Sequence, residues 1–327
     1  MKTLLAASII AISILLSGCG TGGSEVQFSN GDVTLSGTLL LPKTEGPVPA
    51  VVLIHGSGET DRGGLEYYAK IFVRNGYAAL IYDKRGVGKS GGGPDAWRYF
   101  SFDDLAGDAA AGVEYLAGRD DIDGDRIGLF GASQGGWVAP LAATKSNQVS
   151  FMVLLSASVS SVAEDRLFER AARLKTEGFT ESEIHEVTEM QLVDQELTRS
   201  GEGFDDFASL WDEHKEKRWF RRVYLGEEPT PADDEWRLWY RTILDFDSVP
   251  LLEQLSIPTL CLFGDPAHDR YGPVQASADQ VEALKQSGKD YEVEVYYGAD
   301  HNLKMVDGGK EAPFKERMDT WLTTMPR

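Results

Sequence analysis

Cysteine is scarce in this sequence, which contains only Cys19 and Cys261. Cys261 lies in the apolar run Thr259-Leu-Cys-Leu-Phe263, where a cysteine behaves as a small core residue. If Cys19 is acylated, no internal disulfide can form. Two cysteines with these positions indicate neither a disulfide framework nor a metal site built from clustered ligands. We expect no metal and no cofactor.

Positive charge is also in short supply. Lysine and arginine number 32 against 52 aspartates and glutamates, which leaves a net charge of −20. Such an acidic surface argues against nucleic acid and anionic membrane surfaces as partners. The apolar fraction of 42% is ordinary, so disorder is not indicated. A chain of 327 residues can bury a large core, as one domain with an insertion or as two domains.

Long hydrophobic runs are missing beyond the first residues, so no transmembrane helix is predicted there. Lys2 and the apolar stretch from Leu4 to Leu16 have the pattern of a signal peptide over 1–18. The ending Leu16-Ser-Gly-Cys19 resembles the bacterial lipobox, which predicts a lipidated Cys19 followed by a tether over 19–29. An ordinary secretory peptide with a chance cysteine is the alternative. We expect a protein in the cell envelope, facing the extracytoplasmic side and touching the membrane only through this anchor.

Strands and helices alternate along most of the chain. An antiparallel pair opens it over 25–41, and buried strands such as Ala50-Val-Val-Leu-Ile54 then follow with helices between them. Continuous apolar strands predict an α/β fold with a mostly parallel sheet covered by helices on both faces. We assign the core to 30–157 and 248–327.

The intervening segment 158–247 differs in composition from the core, because it is charged and rich in tryptophan. Its apolar residues recur at helical spacing. An insertion between two core strands predicts a cap over the active site, since ligands bind where connections leave the carboxyl ends of the strands. Decoration remote from the site is the alternative. Four tryptophans either line an acyl pocket or simply pack: Trp211, Trp219, Trp236 and Trp239.

The motif Gly-x-Ser-x-Gly occurs twice. At Gly131-Ala-Ser133-Gln-Gly135 it follows a short apolar strand and precedes a helical pattern, which predicts a tight turn with Ser133 at its apex. At Gly88-Lys-Ser90-Gly-Gly92 no helix follows, because Gly93-Pro94 comes next. We therefore interpret 83–93 as a structural loop and Ser133 as the nucleophile.

Four motifs together resemble the α/β-hydrolase fold over about residues 30–325. They are His55-Gly-Ser-Gly58, Asp83-Lys-Arg-Gly-Val-Gly-Lys-Ser90, the turn at Ser133, and Gly298-Ala-Asp-His301 after the last strand. The sequence looks like secreted or lipoprotein esterases related to the serine aminopeptidase and dienelactone hydrolase groups. The resemblance implies an oxyanion hole made by two backbone N–H groups, one from Gln134 and one from the 56–57 loop, which we assign to Ser57.

A serine hydroxyl needs a base, which near pH 7 is a neutral histidine. His301 fits the chain order Ser…Asp…His of this fold. His55 belongs to the oxyanion-loop motif and is interpreted as structural. His185 and His214 lie on charged helices, where we expect them to be solvated, and His268 is a minor candidate.

The catalytic acid should follow the strand that ends at Phe263. Family members often show Gly-x-x-Asp-x-x-Val-Pro here, whereas this chain has Gly264-Asp265 and then Asp269-Arg-Tyr-Gly-Pro273. Alignment on the later proline selects Asp269 and implies a two-residue insertion. Asp265 is then expected to cap the turn.

These observations predict a serine hydrolase that cleaves carboxylic esters through an acyl-enzyme, with Ser133, His301 and Asp269 as the triad. Its partner is a small-molecule ester or acyl substrate. A peptidase or acyl-thioesterase of the same fold is the alternative, because the triad does not choose the leaving group. A further alternative is a surface protein that uses this fold for binding and catalyses no reaction.

Overall fold

The computed structural model describes residues 23–94, 96–224 and 226–325. The predicted signal peptide and Cys19 lie outside the described residues. The prediction of a tether over 19–29 is wrong for its second half, because Ser24–Asn30 form the first strand of the sheet. Within those ranges, none of the helices has both the length and the apolar character that crossing a bilayer requires.

The centre of the fold is a sheet of eight strands in the described residues, in the order β1-β2-β4-β3-β5-β6-β7-β8. The strands are β1 Ser24–Asn30, β2 Val33–Leu40, β3 Val48–Ile54, β4 Ala78–Tyr82, β5 Ile122–Ala132, β6 Val149–Leu155, β7 Thr259–Phe263 and β8 Tyr291–Val295. β2 pairs antiparallel with β1 and with β4. All the remaining neighbours are parallel. The predicted sheet with an opening antiparallel pair is therefore confirmed.

Helices cover both faces of this sheet. They are α1 Glu66–Arg74, α2 Phe102–Ala117, α3 Gly135–Lys145, α9 Val249–Gln254, α10 Val274–Gln286 and α11 Phe314–Thr324. One apolar cluster joins the sheet to α2, α3 and α10 through residues such as Val113, Val138 and Val281. A second cluster joins the opposite face to α1 and α11 through Phe72 and Met318. The two-sided burial explains why strands such as β3 are apolar along most of their length.

β5 is longer than its apolar run suggests, because the sequence predicts a strand only over 126–130. Gly131 and Ala132 continue the parallel ladder with Leu154 and Leu155 of β6, and at its other end Ile122 pairs with Val48. Small or polar residues at both ends of the strand hid these pairings. The longer ladder brings β5 to the residue immediately before Ser133.

The connection from β6 to β7 contains five helices in its described residues before α9. They are α4 Val162–Thr176, α5 Glu181–Ser200, α6 Phe204–His214, α7 Phe220–Val223 and α8 Glu235–Arg241. Capping boxes at Ser161 and Thr180 begin α4 and α5. This helical insertion has its own apolar cluster, which includes Trp211 and Trp219. A backbone bridge between Ser161 and Asp247 closes its base.

Candidate active site

Ser133 occupies a sharp turn between β5 and α3. Its φ of 52° lies in the left-handed region, which residues other than glycine rarely adopt. The Ser133 N–H donates to the Leu155 carbonyl at 2.9 Å, which ties the turn to the neighbouring strand β6. A strained strand-to-helix turn of this kind exposes the serine hydroxyl at the carboxyl edge of the sheet.

Glycines around this turn are required by close packing. A Cβ on Gly131 would lie 2.4 Å from the Gly135 carbonyl oxygen, and a Cβ on Gly136 would lie 2.1 Å from the Ala157 Cβ. Real Cβ atoms do not approach so closely, so larger residues would push α3 away from the sheet. The Gly-x-Ser-x-Gly-Gly pattern thus reflects the space available at the turn.

His301 lies on the loop after β8 and contacts Asp269 on the loop after β7. Its Nδ1 is 2.9 Å and 3.0 Å from the two Asp269 carboxylate oxygens. Asp269 is buried, and it also accepts a hydrogen bond from the Tyr271 N–H at 3.0 Å. Ser133 and His301 line the same cavities, of about 130 and 230 Å³. The structure therefore brings together three predicted residues that lie far apart in the sequence.

Asp265 serves the turn itself. Its carboxylate accepts from the N–H groups of Ala267 at 2.8 Å and Gly298 at 2.6 Å, and it lies 3.1 Å from His268 Nδ1. Burial opposes ionisation of Asp265, but these hydrogen bonds outweigh it and lower its pKa. Asp265 thus links the loop after β7 to the loop that carries His301, while Asp269 contacts the imidazole.

The two predicted oxyanion donors lie beside Ser133. Ser57, Gln134 and Ser133 line the small cavity of about 130 Å³, which we call the cleft. Among the described residues, no group accepts a hydrogen bond from the Ser57 N–H or the Gln134 N–H. A Cβ on Gly56 would lie 3.3 Å from the Ser133 Cβ, so the loop passes close to the serine. Two free donors at this position can bind a developing negative charge.

Lys84 is a buried cation that sequence analysis assigned only to a structural loop. Its Nζ donates to the carbonyls of Gly56 at 2.7 Å and Gly58 at 3.1 Å, and to the Gln134 Oε1 at 3.1 Å. Burial lowers the pKa of Lys84 to about 8. The lysine thus holds both segments that carry the free N–H groups. In the sequence, the one signal for this role is the charged run Asp83-Lys-Arg85 directly after an apolar strand.

The second Gly-x-Ser-x-Gly motif packs as a structural loop. Ser90 Oγ donates to the Asp83 carbonyl at 2.6 Å and accepts from the Ser36 N–H at 3.0 Å. The Asp83 carboxylate accepts from the Arg62 side chain and from the Lys89 N–H. Burial alone would raise the Asp83 pKa, but these hydrogen bonds lower it to about 2.

The other histidines lie in different surroundings. His55 is buried against Tyr82, and desolvation lowers its pKa to about 3, so it is neutral at physiological pH. His185 is exposed. His214 was expected to be solvated, but the structure corrects this, because its ring is half-buried against Trp219. Within the described ranges, no three His, Cys, Asp or Glu side chains converge as metal ligands.

A larger cavity of about 640 Å³ lies between the core and the helical insertion. Trp236 and Trp239 line this insertion cavity, whereas Trp211 and Trp219 are buried in the insertion's own core. The Trp239 indole donates to the Phe100 carbonyl at 2.7 Å and so joins α8 to the core. Two of the four tryptophans therefore line a cavity and two pack inside the insertion, and an acyl pocket at Trp236 and Trp239 stays a prediction.

The sequence profile described as serine aminopeptidase matches residues 45–305. The quorum-quenching protein AidA of Acinetobacter baumannii is 34% identical over 129 residues, which cover 39% of this chain and 42% of AidA. An uncharacterized Pseudomonas aeruginosa protein is 26% identical over 277 residues, which cover 79% of this chain and 71% of that protein. Rat acyl-coenzyme A thioesterase 1 is 29% identical over 133 residues, 38% of this chain and 27% of the thioesterase. The chain thus spans less than half the length of two of these relatives.

Solved structures with the same fold include hydrolases of different kinds. An esterase of Pyrococcus furiosus superposes with a TM-score of 0.58 at 18% identity, covering 93% of each chain. An acylaminoacyl peptidase of Pyrococcus horikoshii superposes with a TM-score of 0.57 at 16% identity, covering 93% of this chain and 41% of the peptidase. These likenesses show the α/β-hydrolase fold, which the sequence motifs predicted.

Proposed function

The chain belongs to the serine aminopeptidase family, and on that premise we propose that it hydrolyses carboxylic esters with Ser133 as the nucleophile. One observation carries the proposal. Ser133 stands at the apex of a strained turn, in a cavity shared with His301, whose Nδ1 lies 2.9 Å from the buried Asp269 carboxylate. This arrangement suits nucleophilic catalysis by a serine.

The proposed reaction begins when the Ser133 oxygen attacks the ester carbonyl carbon and its proton passes to His301 Nε2. Asp269 keeps the Nδ1 proton in place and stabilises the imidazolium. The N–H groups of Ser57 and Gln134 bind the oxyanion of the tetrahedral intermediate. Collapse breaks the bond to the leaving oxygen, which takes the proton from His301. Water, deprotonated by His301, then attacks the acyl-enzyme by the same route and releases the acid.

An acyl-thioesterase is the second candidate, because rat acyl-coenzyme A thioesterase 1 is 29% identical to this chain over 133 residues. The two activities share the acyl-enzyme and differ in the leaving group. A panel of p-nitrophenyl esters, acyl-coenzyme A thioesters and aminoacyl anilides tests them together. Ester turnover at the highest kcat/KM supports the proposal, and preferential thioester or anilide turnover replaces it.

We propose that the helical insertion caps this site. The insertion cavity and the cleft share Ser57, Gln134 and Trp137, so a space bounded by α4 and α8 continues towards Ser133. A substrate bound at Ser133 therefore extends under the insertion. In a fluorophosphonate whose long alkyl chain ends in a photoreactive diazirine, crosslinks from the diazirine to residues of α8 support this, and crosslinks confined to the core contradict it.

We also propose that Cys19 is acylated and anchors the protein to a membrane, on the strength of the Leu16-Ser-Gly-Cys19 ending alone. In a bacterial host, wild-type protein is expected in the membrane fraction with an acylated N-terminal cysteine. Cys19→Ala should prevent the modification. Recovery of wild-type protein cleaved elsewhere and unmodified contradicts the anchor.

A further inference from the structure

The insertion cavity has a charge opposite to that of the molecule. The chain has 32 basic and 52 acidic residues, yet the described lining of this cavity includes five arginines and one acid, Glu169. The arginines are Arg98, Arg166, Arg170, Arg173 and Arg222. A cationic cavity in a protein of net charge −20 concentrates positive potential at one place, where it attracts anions.

Three of these arginines form a stripe on α4. Arg166, Arg170 and Arg173 stand at i, i+4 and i+7, which places them on one face of the helix. Arg222 from α7 and Arg98 from the loop before α2 complete the group. The stripe therefore faces the cavity because of helix geometry, and segments distant in sequence add to it.

Protein carboxylates neutralise only part of this charge. Arg166 pairs with Glu169 at 2.6 Å, and Arg222 lies 3.5 Å from Glu177. Arg170 forms no ion pair with any described residue. Arg173 donates to the Arg222 carbonyl at 2.6 Å, but its buried Nε has no acceptor in the described chain. Unpaired guanidinium groups that share a cavity repel each other, and a buried donor without an acceptor is costly, so a bound anion would stabilise both.

The arginine stripe is continuous with the proposed catalytic residues. Arg166 and Glu169 line both the insertion cavity and the cleft that contains Ser133 and His301. Trp236, Trp239 and Tyr240 provide aromatic walls in the insertion cavity. An acyl substrate with its carbonyl at Ser133 can thus pack an apolar part against these rings and extend a charged end to Arg170 and Arg173.

We propose that the substrate of this site carries an anionic group, a carboxylate or a phosphate, which Arg170 and Arg173 bind. This inference rests on the proposed hydrolase function and adds the chemical class of the substrate. Arginine suits the role because its planar guanidinium donates paired hydrogen bonds to carboxylate and phosphate oxygens.

Two esters of equal chain length test the proposal. They are p-nitrophenyl hexanoate, which ends in a methyl group, and the mono-p-nitrophenyl ester of adipic acid, which ends in a carboxylate. Wild-type protein is expected to show a higher kcat/KM for the adipate ester, and rising salt should reduce that preference by screening the charges. A preference for the neutral ester at every salt concentration overturns the proposal for carboxylates.

Variants identify the arginines responsible. Arg170→Gln with Arg173→Gln should lower kcat/KM for the adipate ester at least about tenfold and leave the hexanoate ester nearly unchanged. Arg218→Gln is the matched control, because Arg218 pairs with Glu183 on the insertion and is absent from the cavity lining. Equal losses for both esters, or equal effects of the control, overturn the role of these two arginines.

Thioesters show whether the bound anion belongs to the leaving group or to the acyl chain of the substrate. Hexanoyl-coenzyme A carries phosphates on its leaving group, whereas the hexanoyl thioester of N-acetylcysteamine carries none. Arginine-dependent preference for the coenzyme A thioester assigns the anion to the leaving group. Arginine-dependent preference for the adipate ester assigns it to the acyl chain. The absence of both preferences overturns the inference.

A binding experiment keeps this inference distinct from the proposed function. In Ser133→Ala, adipate and inorganic phosphate are titrated by calorimetry against hexanamide as the neutral control. Anion binding that disappears in Arg170→Gln with Arg173→Gln supports the cationic site even if no ester is hydrolysed. Hydrolysis of neutral esters without any anion binding leaves the proposed function intact and rejects the substrate class.

Discussion

The sheet core and the helical insertion contribute different parts of the candidate site. In the core, glycines and short backbone contacts hold Ser133, and Asp269 is in place against His301. The insertion contributes aromatic walls and four arginines around a space of about 640 Å³, and two of these arginines, Arg170 and Arg173, form no ion pair with a described carboxylate. The proposed function therefore assigns the chemistry to the core and the selection of substrate to the insertion.

The largest expected effect comes from the core nucleophile. Ser133→Ala should lower ester kcat by at least about 10⁴-fold and abolish fluorophosphonate labelling, because the proposed acyl-enzyme forms on the Ser133 oxygen. Ser90→Ala is the matched control, since Ser90 only bridges Asp83 and Ser36. If Ser90→Ala is the inactive and unlabelled variant, the choice between the two serines is wrong.

The next effect distinguishes the two aspartates. Asp269→Asn should reduce kcat by at least about 10²-fold, because the amide cannot stabilise the imidazolium. Asp265→Asn should cost less than about tenfold, because Asp265 bonds to backbone N–H groups of the turn. Both are compared by steady-state kinetics after circular dichroism confirms folding. An active Asp269→Asn beside a folded but inactive Asp265→Asn would reverse the assignment.

Lys84 tests whether the core also depends on a buried cation. Lys84→Met should lower kcat about tenfold, because it frees the segments that carry the Ser57 and Gln134 N–H groups. Since burial lowers the Lys84 pKa to about 8, the ammonium is lost as pH rises through that value. Wild-type kcat should therefore fall above about pH 8.

The pH dependence of kcat distinguishes a role of Lys84 in positioning the two N–H groups from a role in the stability of the fold. Lys84→Met should lack the alkaline decrease in kcat, whereas Lys70→Met, at an exposed pair with Glu66, should retain it. An unchanged alkaline decrease in Lys84→Met would show that another group causes it.

The smallest expected effect lies in the insertion. Trp236→Ala and Trp239→Ala should change the preference between short and long acyl esters about threefold with little effect on the best kcat, because these rings line the cavity. Trp219→Ala should instead lower Tm, because Trp219 is fully buried in the insertion's own cluster. Unchanged selectivity in both cavity variants would remove these two rings from the substrate pocket.

Patterns in the sequence predicted the fold well because strands and helices follow short-range rules. The apolar runs identified the sheet, and the strand–turn–helix context separated Ser133 from Ser90. The length of β5 was underestimated, since Gly131 and Ala132 pair through backbone atoms that side-chain hydrophobicity does not report. The tryptophans were left undecided because helical spacing alone does not say which face meets a cavity.

By itself, the sequence determined the order of the elements, the turn at Ser133 and the short set of histidines that could serve it. These features depend on neighbouring residues and on the space that glycine leaves. Only the tertiary structure decided which distant groups meet. Lys84 reaches Gly56 and Gln134 from another loop, and Arg222 and Arg98 join the α4 stripe across the cavity. Such contacts depend on the packing of whole elements, which no local pattern encodes.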